Sequence, residues 1–391
     1  MSSSPRAGVP VTGADPTSFA RSVLAVRHPA LIEQVRAAHP YGPRQRAALD
    51  RLAEEIAGGP IQEPPAHWPD HAQWHAWGAG RWGRSWFEVP FLWAESYFYR
   101  RLLDAVDHDG EAPYRGLDPF EPAKSAELDD AGGPDGLAGL AGLAGTTDRQ
   151  DLLLACVWGN RADLGFRAGA AAQGRTGPLH TDLPEPLLVD DAGRVWQRLD
   201  AARRVVLVAD NAGRELLADL LLIDHLLRTD PGRRVELHVK PAPYFVSDAT
   251  GADVSACLRV LVRAGAAAAD AARRLHRAAA DGSLRVSAHP LYCAPSDYRR
   301  LPADLRETFR AADLVLMKGD LNYRRLVGDE LRPVTTPFAA VTEHFPGPVA
   351  ALRTLKSDVV VGLDAATEAA LEATGQPWRT SGTQALIQLR D

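Results

Sequence analysis

From about residue 19 to 110, apolar residues recur at i, i+3 and i+4, the spacing of helices that turn one stripe toward a core. RSVLAVRHPALIEQVRAAH and RAALDRLAEEIAGG follow it. WFEVPFLWAESYFYRRLLDAV predicts an apolar helix with an aromatic core stripe. Residues 1–18, rich in Ser, Pro and Gly, predict a disordered arm. GGPDGLAGLAGLAG (residues 132–145) is of low complexity. Its glycines follow no strand, which excludes a dinucleotide loop, and a flexible insertion is expected there.

Past residue 200 the rhythm changes. RRVVLVAD, RRVELHV, SLRVSAHP, ADLVLMKGD and, last, SDVVVGL are short runs with strand character. ELLADLLLIDHLLRT and ACLRVLVRAGAAAADAARRLHRAAADG are helical segments between the earlier ones. Strands alternating with helices predict an α/β fold, a mostly parallel, doubly wound, Rossmann-like sheet flanked by helices. The expected division is a mainly helical domain over 19–199 and an α/β catalytic domain over 200–391.

Composition narrows the function. With 391 residues and 46% apolar content the chain can bury a sizeable core, and its formal charge of -6 argues against a general nucleic-acid or anionic-membrane binder. Cys156, Cys257 and Cys293 are too few and too far apart for a disulfide framework or a CxxC zinc pair. The N-terminal segment lacks the basic and apolar regions of a secretory signal, and no window reaches about 18 uninterrupted apolar residues. A soluble, cytoplasmic protein is the expectation.

In a doubly wound sheet ligands bind beyond the carboxyl ends of the strands. There VVLVADNAGRE supplies Asp210, Asn211 and Glu215, and VELHVKPAPYFVSDAT supplies Lys240 and Asp248. ADLVLMKGDLNYRR supplies Lys318, Asp320, Asn322, Tyr323 and Arg324, and LRTLKSD supplies Arg353 and Lys356. Carboxylate and carboxamide oxygens suit a hard divalent ion, while lysines and arginines suit a phosphate. Asp210, Asn211 and Asp248 are the candidate metal ligands. Asp320, with Asp210, Asp248 and Lys356, is a candidate catalytic residue. Each also has a plain structural role open to it: Asp210 as a helix cap, Asp248 as a turn residue, Arg353 and Lys356 as a solvated charge pair.

These segments, with LWAESYFYRR and VWGNRADLG upstream, resemble the metal-dependent damage-control phosphatase family, in particular the subfamily related to the acidic-residue (protein-glutamate) methyltransferase protein, for which GDLNYR and RTxK are characteristic. The similarity spans roughly residues 20–365. It implies a Mn, Co, Ni or Mg ion on Asp210, Asn211 and Asp248, and a pocket lined by Glu95, Asn160 and Asp163. It further implies substrate contacts from Asp320, Asn322, Tyr323, Arg324 and Lys356, and hydrolysis of phosphomonoesters of small metabolites such as fructose 1-phosphate. Two competing readings remain: an S-adenosylmethionine-dependent protein-glutamate O-methyltransferase, disfavoured by the single Gly213 after the first strand, and a non-catalytic sugar-phosphate-binding protein.

Overall fold

In Val205–Val208 every residue is apolar, as a strand covered on both faces requires. The computed structural model describes residues 8–110, 113–146, 148–159 and 187–391. Among them the strands are β1 (Val9–Pro10), β2 (Arg204–Val208), β3 (Arg234–Val239), β4 (Leu284–Ala288), β5 (Leu314–Lys318), β6 (Glu330–Leu331), β7 (Val349–Thr354) and β8 (Ala385–Arg390). Six of these form one sheet in the order β4-β3-β2-β5-β7-β8, parallel except for β8 against β7. Counted along the chain, that is the 3-2-1-4-5-6 order of the doubly wound fold. The chain leaves β2 toward one edge and returns at β5 toward the other, so a crevice opens beyond the carboxyl ends of β2 and β5.

Alternate residues of each strand feed two cores. Val206, Val208, Val315 and Met317 pack with the aromatic helix Phe91–Ala105 and the helices before it. Val205, Leu207, Leu314 and Leu316 pack with helices Arg149–Trp158, Arg214–Thr229, Gly251–Arg263 and Ala266–Asp281. Both sides of the sheet are therefore largely dry, apart from a few hydrogen-bonded polar groups within the strands such as His238 of β3 and Gln388 of β8.

Three local expectations are corrected. Residues 8–18 are not a loose arm: β1 pairs antiparallel with β6, and Val11 is buried. Residues 134–145 form a helix, Pro134–Gly145, with Leu140 fully buried. Its small residues let it approach helix Ala266–Asp281, where a Cβ on Gly145 would lie 4.0 Å from that of Ala267. Packing overrides the weak helix propensity of glycine. The last strands are not SDVVVGL. β7 lies upstream of it, β8 lies downstream, and Val359–Val361 are buried in a loop. That loop's Val361 carbonyl accepts from Gln388 Nε2 of β8 at 2.8 Å, and its amide donates to Tyr323 Oη at 3.2 Å. Side-chain partners, with backbone bonds from Gly362 and Leu363 to the Thr336 and Val334 carbonyls, thus replace a strand ladder.

Candidate metal and phosphate site

β2 ends at Val208, and Ala209–Gly213 turn into helix Arg214–Thr229 through Gly213 at φ 71°. After β3 the chain passes Lys240 and loops back to Asp248. The two loops are stitched backbone to backbone. Asn211 faces Asp248 in an isolated antiparallel bridge, Ala212 N donates to Ser247 O at 2.7 Å, and Ala249 N donates to Asp210 O at 2.9 Å. Asp210, Asn211 and Asp248 are thereby brought together, with Asp210 6% and Asp248 2% exposed.

From the neighbouring strand, Gly319 closes the floor. Its φ is 79°, and a Cβ there would fall 1.8 Å from Asp210 Oδ2. Only glycine allows the Asp210 carboxyl to lie over the first turn of helix Gly319–Val327. Burial, then the charges of Glu215 and Asp248, push the Asp210 carboxyl well above its usual range, against the pull of Lys240 and Lys356. Two largely buried carboxylates and one half-buried amide, with Lys240 paired to Asp248, form a hard, oxygen-rich donor set. That set fits a divalent ion such as Mn or Mg. Among the described residues no group of three or more His, Cys, Asp or Glu could hold a metal, so an ion placed here would need the amide of Asn211 as its third donor.

All four lysines of the chain, Lys124, Lys240, Lys318 and Lys356, surround this site. Lys240 Nζ lies 3.2 Å from Asp248 Oδ2. Lys124, from helix Glu121–Ala131, donates to the Asp248 carbonyl at 2.8 Å, to Asp118 Oδ2 at 2.8 Å and to Asp253 Oδ2 at 3.1 Å, anchoring the Asp248 loop. Lys318 is fully buried and faces inward, 2.9 Å from Glu215 Oε1 and 2.8 Å from Asp219 Oδ1. Lys356 is exposed, and its charge acts on both Asp210 and Glu127.

The Lys356 loop is held by Asp320. Asp320 Oδ1 accepts from Arg353 Nε at 2.8 Å, the Lys356 amide at 3.0 Å and Ser357 Oγ at 3.1 Å. Burial opposes its charge, but Arg353 and Arg324, with hydrogen bonds from the Lys356 amide and Ser357, together hold Asp320 below the usual carboxylate range. Arg353 is fully buried and lies 4.1 Å over the Tyr323 ring. Tyr323 Oη donates to Gln388 Oε1 at 3.1 Å, and Asn322 Nδ2 donates to the Lys318 carbonyl at 2.9 Å. Arg324 reaches Glu95 Oε2 and Asp329 Oδ1, each at 2.7 Å. Burial lifts the Glu95 carboxyl to about 7, with Arg324 opposing.

Of the residues expected to touch substrate, then, Lys356 presents its side chain to solvent. Asn322, Tyr323, Arg324, Arg353 and Glu95 are buried in contacts that brace the rim. Asn160 and Asp163 lie outside the described residues, although Gly159 before them abuts Glu215, whose Cα would be 2.5 Å from a Cβ there. Lys124, Glu127, Asp219 and Asp329 escaped the sequence reasoning. For Lys124 a signal existed: in a chain with 44 Lys and Arg but only four lysines, each lysine stands out.

The fold and site define a doubly wound α/β protein with an oxygen-donor cleft at its switch point, the place where such folds bind small ligands. Residues 23–371 match the family model described as the damage-control phosphatase ARMT1-like domain. The chain is 31% identical over 333 residues to damage-control phosphatase ARMT1 of Danio rerio, covering 78% of this chain and 74% of the relative. It is 30% identical over 339 residues to the Homo sapiens protein of the same name, covering 78% and 75%. It also resembles a crystal structure of a DUF89 family protein from Pyrococcus horikoshii, at a TM-score of 0.47 and 14% identity over 90% of this chain and 93% of the other. The chain belongs to the ARMT1-like damage-control phosphatase family, a family of hydrolases. No helix among the described residues is long and apolar enough to cross a membrane.

Proposed function

We propose that this protein is a cytoplasmic, divalent-metal-dependent phosphatase that hydrolyses phosphomonoesters of small metabolites, with sugar phosphates such as fructose 1-phosphate as the substrate class. The observation that carries the reading is the backbone stitching of Asp210–Asn211 to Asp248, which gathers three oxygen donors at the switch point. Asp210, Asn211 and Asp248 would hold the ion, drawn from Mn, Co, Ni or Mg. Such an ion supplies Lewis acidity toward a phosphoryl oxygen and lowers the pKa of bound water.

The protein's own residues supply the rest. Lys356, exposed at the mouth, neutralises the phosphate oxygens as a point charge. Asp320 and Arg353 fix the turn that carries Lys356. Residues 200–391 form the catalytic part, and the helical segment 19–199 contributes Lys124, which pins the Asp248 loop, and Glu127 beside Gly213. That crowding by Glu127, whose Oε1 would be 2.4 Å from a Cβ on Gly213, favours the phosphatase reading over methyl transfer at the loop after β2.

The test is phosphate release from a panel of phosphorylated metabolites with Mn, Co, Ni or Mg, and with the ions chelated. Ion-stimulated release that disappears in Asp248→Ala supports the proposal. Full ion-stimulated activity in that variant removes it. Binding of S-adenosylmethionine with no phosphate release would favour the methyltransferase instead.

A further inference from the structure

An asparagine offers a cation only one of its two ends. The carbonyl oxygen can coordinate; the NH₂ group repels. The orientation of Asn211 is set by its neighbours. Its Nδ2 donates to Asp210 Oδ2 at 3.1 Å and to Glu215 Oε2 at 2.9 Å, which occupies both N–H groups and turns Oδ1 the other way. A flipped amide would set its oxygen against two carboxylate oxygens.

Glu215 is itself held. Its Oε1 lies 2.9 Å from Lys318 Nζ, leaving Oε2 for Asn211, and Lys318 is anchored 2.8 Å from Asp219 Oδ1. Lys318 and Asp219 are fully buried and Glu215 is 6% exposed. The cluster links the end of β5 to the first two turns of helix Arg214–Thr229. Gly159 packs against the Glu215 backbone, too close for any side chain to intervene.

We propose that Glu215, clamped by Lys318 and Asp219, is a positioning residue that locks the Asn211 amide with its oxygen facing the ion, so that the loop offers three oxygen donors rather than two and an NH₂. This rests on the metal-site reading above. Groups that orient metal ligands in this way typically contribute 10–100-fold in affinity. The rival explanation is that Glu215 acts only through its negative charge near the ion.

A double-mutant cycle separates the two. Mn affinity is measured by titration calorimetry, or by the resonance signal of free Mn where binding is weak, with thermal unfolding of the metal-free proteins alongside. Glu215→Gln is expected to weaken Mn binding about 10–100-fold in the wild-type background. In an Asn211→Ala background, which has no amide to orient, it is expected to change affinity less than about threefold. Equal losses in both backgrounds, or no loss in either, would overturn the proposal. Should Glu215→Gln fail to fold, Glu215→Asp keeps the charge and withdraws the carboxylate by one methylene. It is expected to show the same background dependence, and an equal effect in both backgrounds counts against the proposal.

Lys318→Met adds a test of sign. Removing a cation beside a cation site tightens Mn binding if only charge matters, and weakens it if Lys318 holds Glu215 in place. Absence of Mn binding by the wild-type protein would refute the metal reading itself, whereas binding without coupling refutes only the role of Glu215.

Discussion

Asp210 and Asp320 follow neighbouring parallel strands, both sit away from solvent, and they are driven in opposite directions. Asp210 sits among Glu215 and Asp248, and its carboxyl is pushed well up. Asp320 sits against Arg353 and Arg324, and its carboxyl is held down. The difference lies in the supply of guanidinium. Arginines saturate the Asp320 rim and make it a rigid brace, whereas the Asp210 rim keeps an excess of oxygen donors. A strand-end aspartate is therefore pressed toward its neutral form or held charged in an ion pair according to what the tertiary fold sets beside it.

The largest expected effect comes from removing the proposed ligand. Asp210→Asn should lower ion-stimulated phosphate release by about 10³-fold or more, while the chelated protein unfolds at the same temperature as the wild type or higher, because the cost of a buried carboxyl pressed by Glu215 and Asp248 is gone. A marked loss of stability in the chelated state would mean that Asp210 is a strut after all. Next comes the brace. Asp320→Asn leaves buried Arg353 without its anion and should cost about 3–5 kcal/mol of stability, read from denaturant unfolding; stability within error of the wild type would break the contrast.

The smallest effect is the most discriminating. In the metal-free protein the raised carboxyl of Asp210 holds its proton after the unfolded chain, with its ordinary value of 3.8, has released it. Its contribution to stability therefore falls as pH rises above about 4. Asp320 is held below 3.8, so its contribution is present above about pH 4 and is lost as pH falls through its lowered value. Unfolding free energies between pH 3 and 8 should show the wild-type advantage over Asp210→Asn shrinking with rising pH, and the advantage over Asp320→Asn growing. Parallel slopes would mean that the two carboxyls share one environment.

Much of the fold was legible. Strands β2 to β5 announced themselves as apolar runs bounded by Asp, Lys and Pro, and the helices between them implied a parallel sheet. The strands β7 and β8 were harder to find. VAALRT carries an arginine that looks like a solvated charge, and its partners Asp320, 33 residues upstream, Ser357 and the Val359 carbonyl make burial of that arginine tolerable. The Gly-Ala-Leu segment was misjudged because its helix exists through contact with helix Ala266–Asp281, which local propensity cannot express.

At the site, residue types outran residue roles. Lys318 reads as a phosphate contact by its place at the end of β5, yet its ammonium turns inward to Glu215 and Asp219. Arg324 pairs with Glu95, 229 residues away, and Lys124 reaches Asp248, 124 residues away. No periodicity encodes separations of that length.

What the linear chain determines is the inventory: alternating strands and helices, oxygen and ammonium groups at strand ends, and a glycine at 319 where no side chain fits. Strand and helix patterns are written in local spacing, which a sequence carries directly. What only the tertiary structure decides is which carboxyls remain short of cations, because the field at a buried group is summed over neighbours from every part of the chain. That sum lifts the carboxyl of Asp210, holds that of Asp320 down against Arg353, and sets Glu215 against the Asn211 amide.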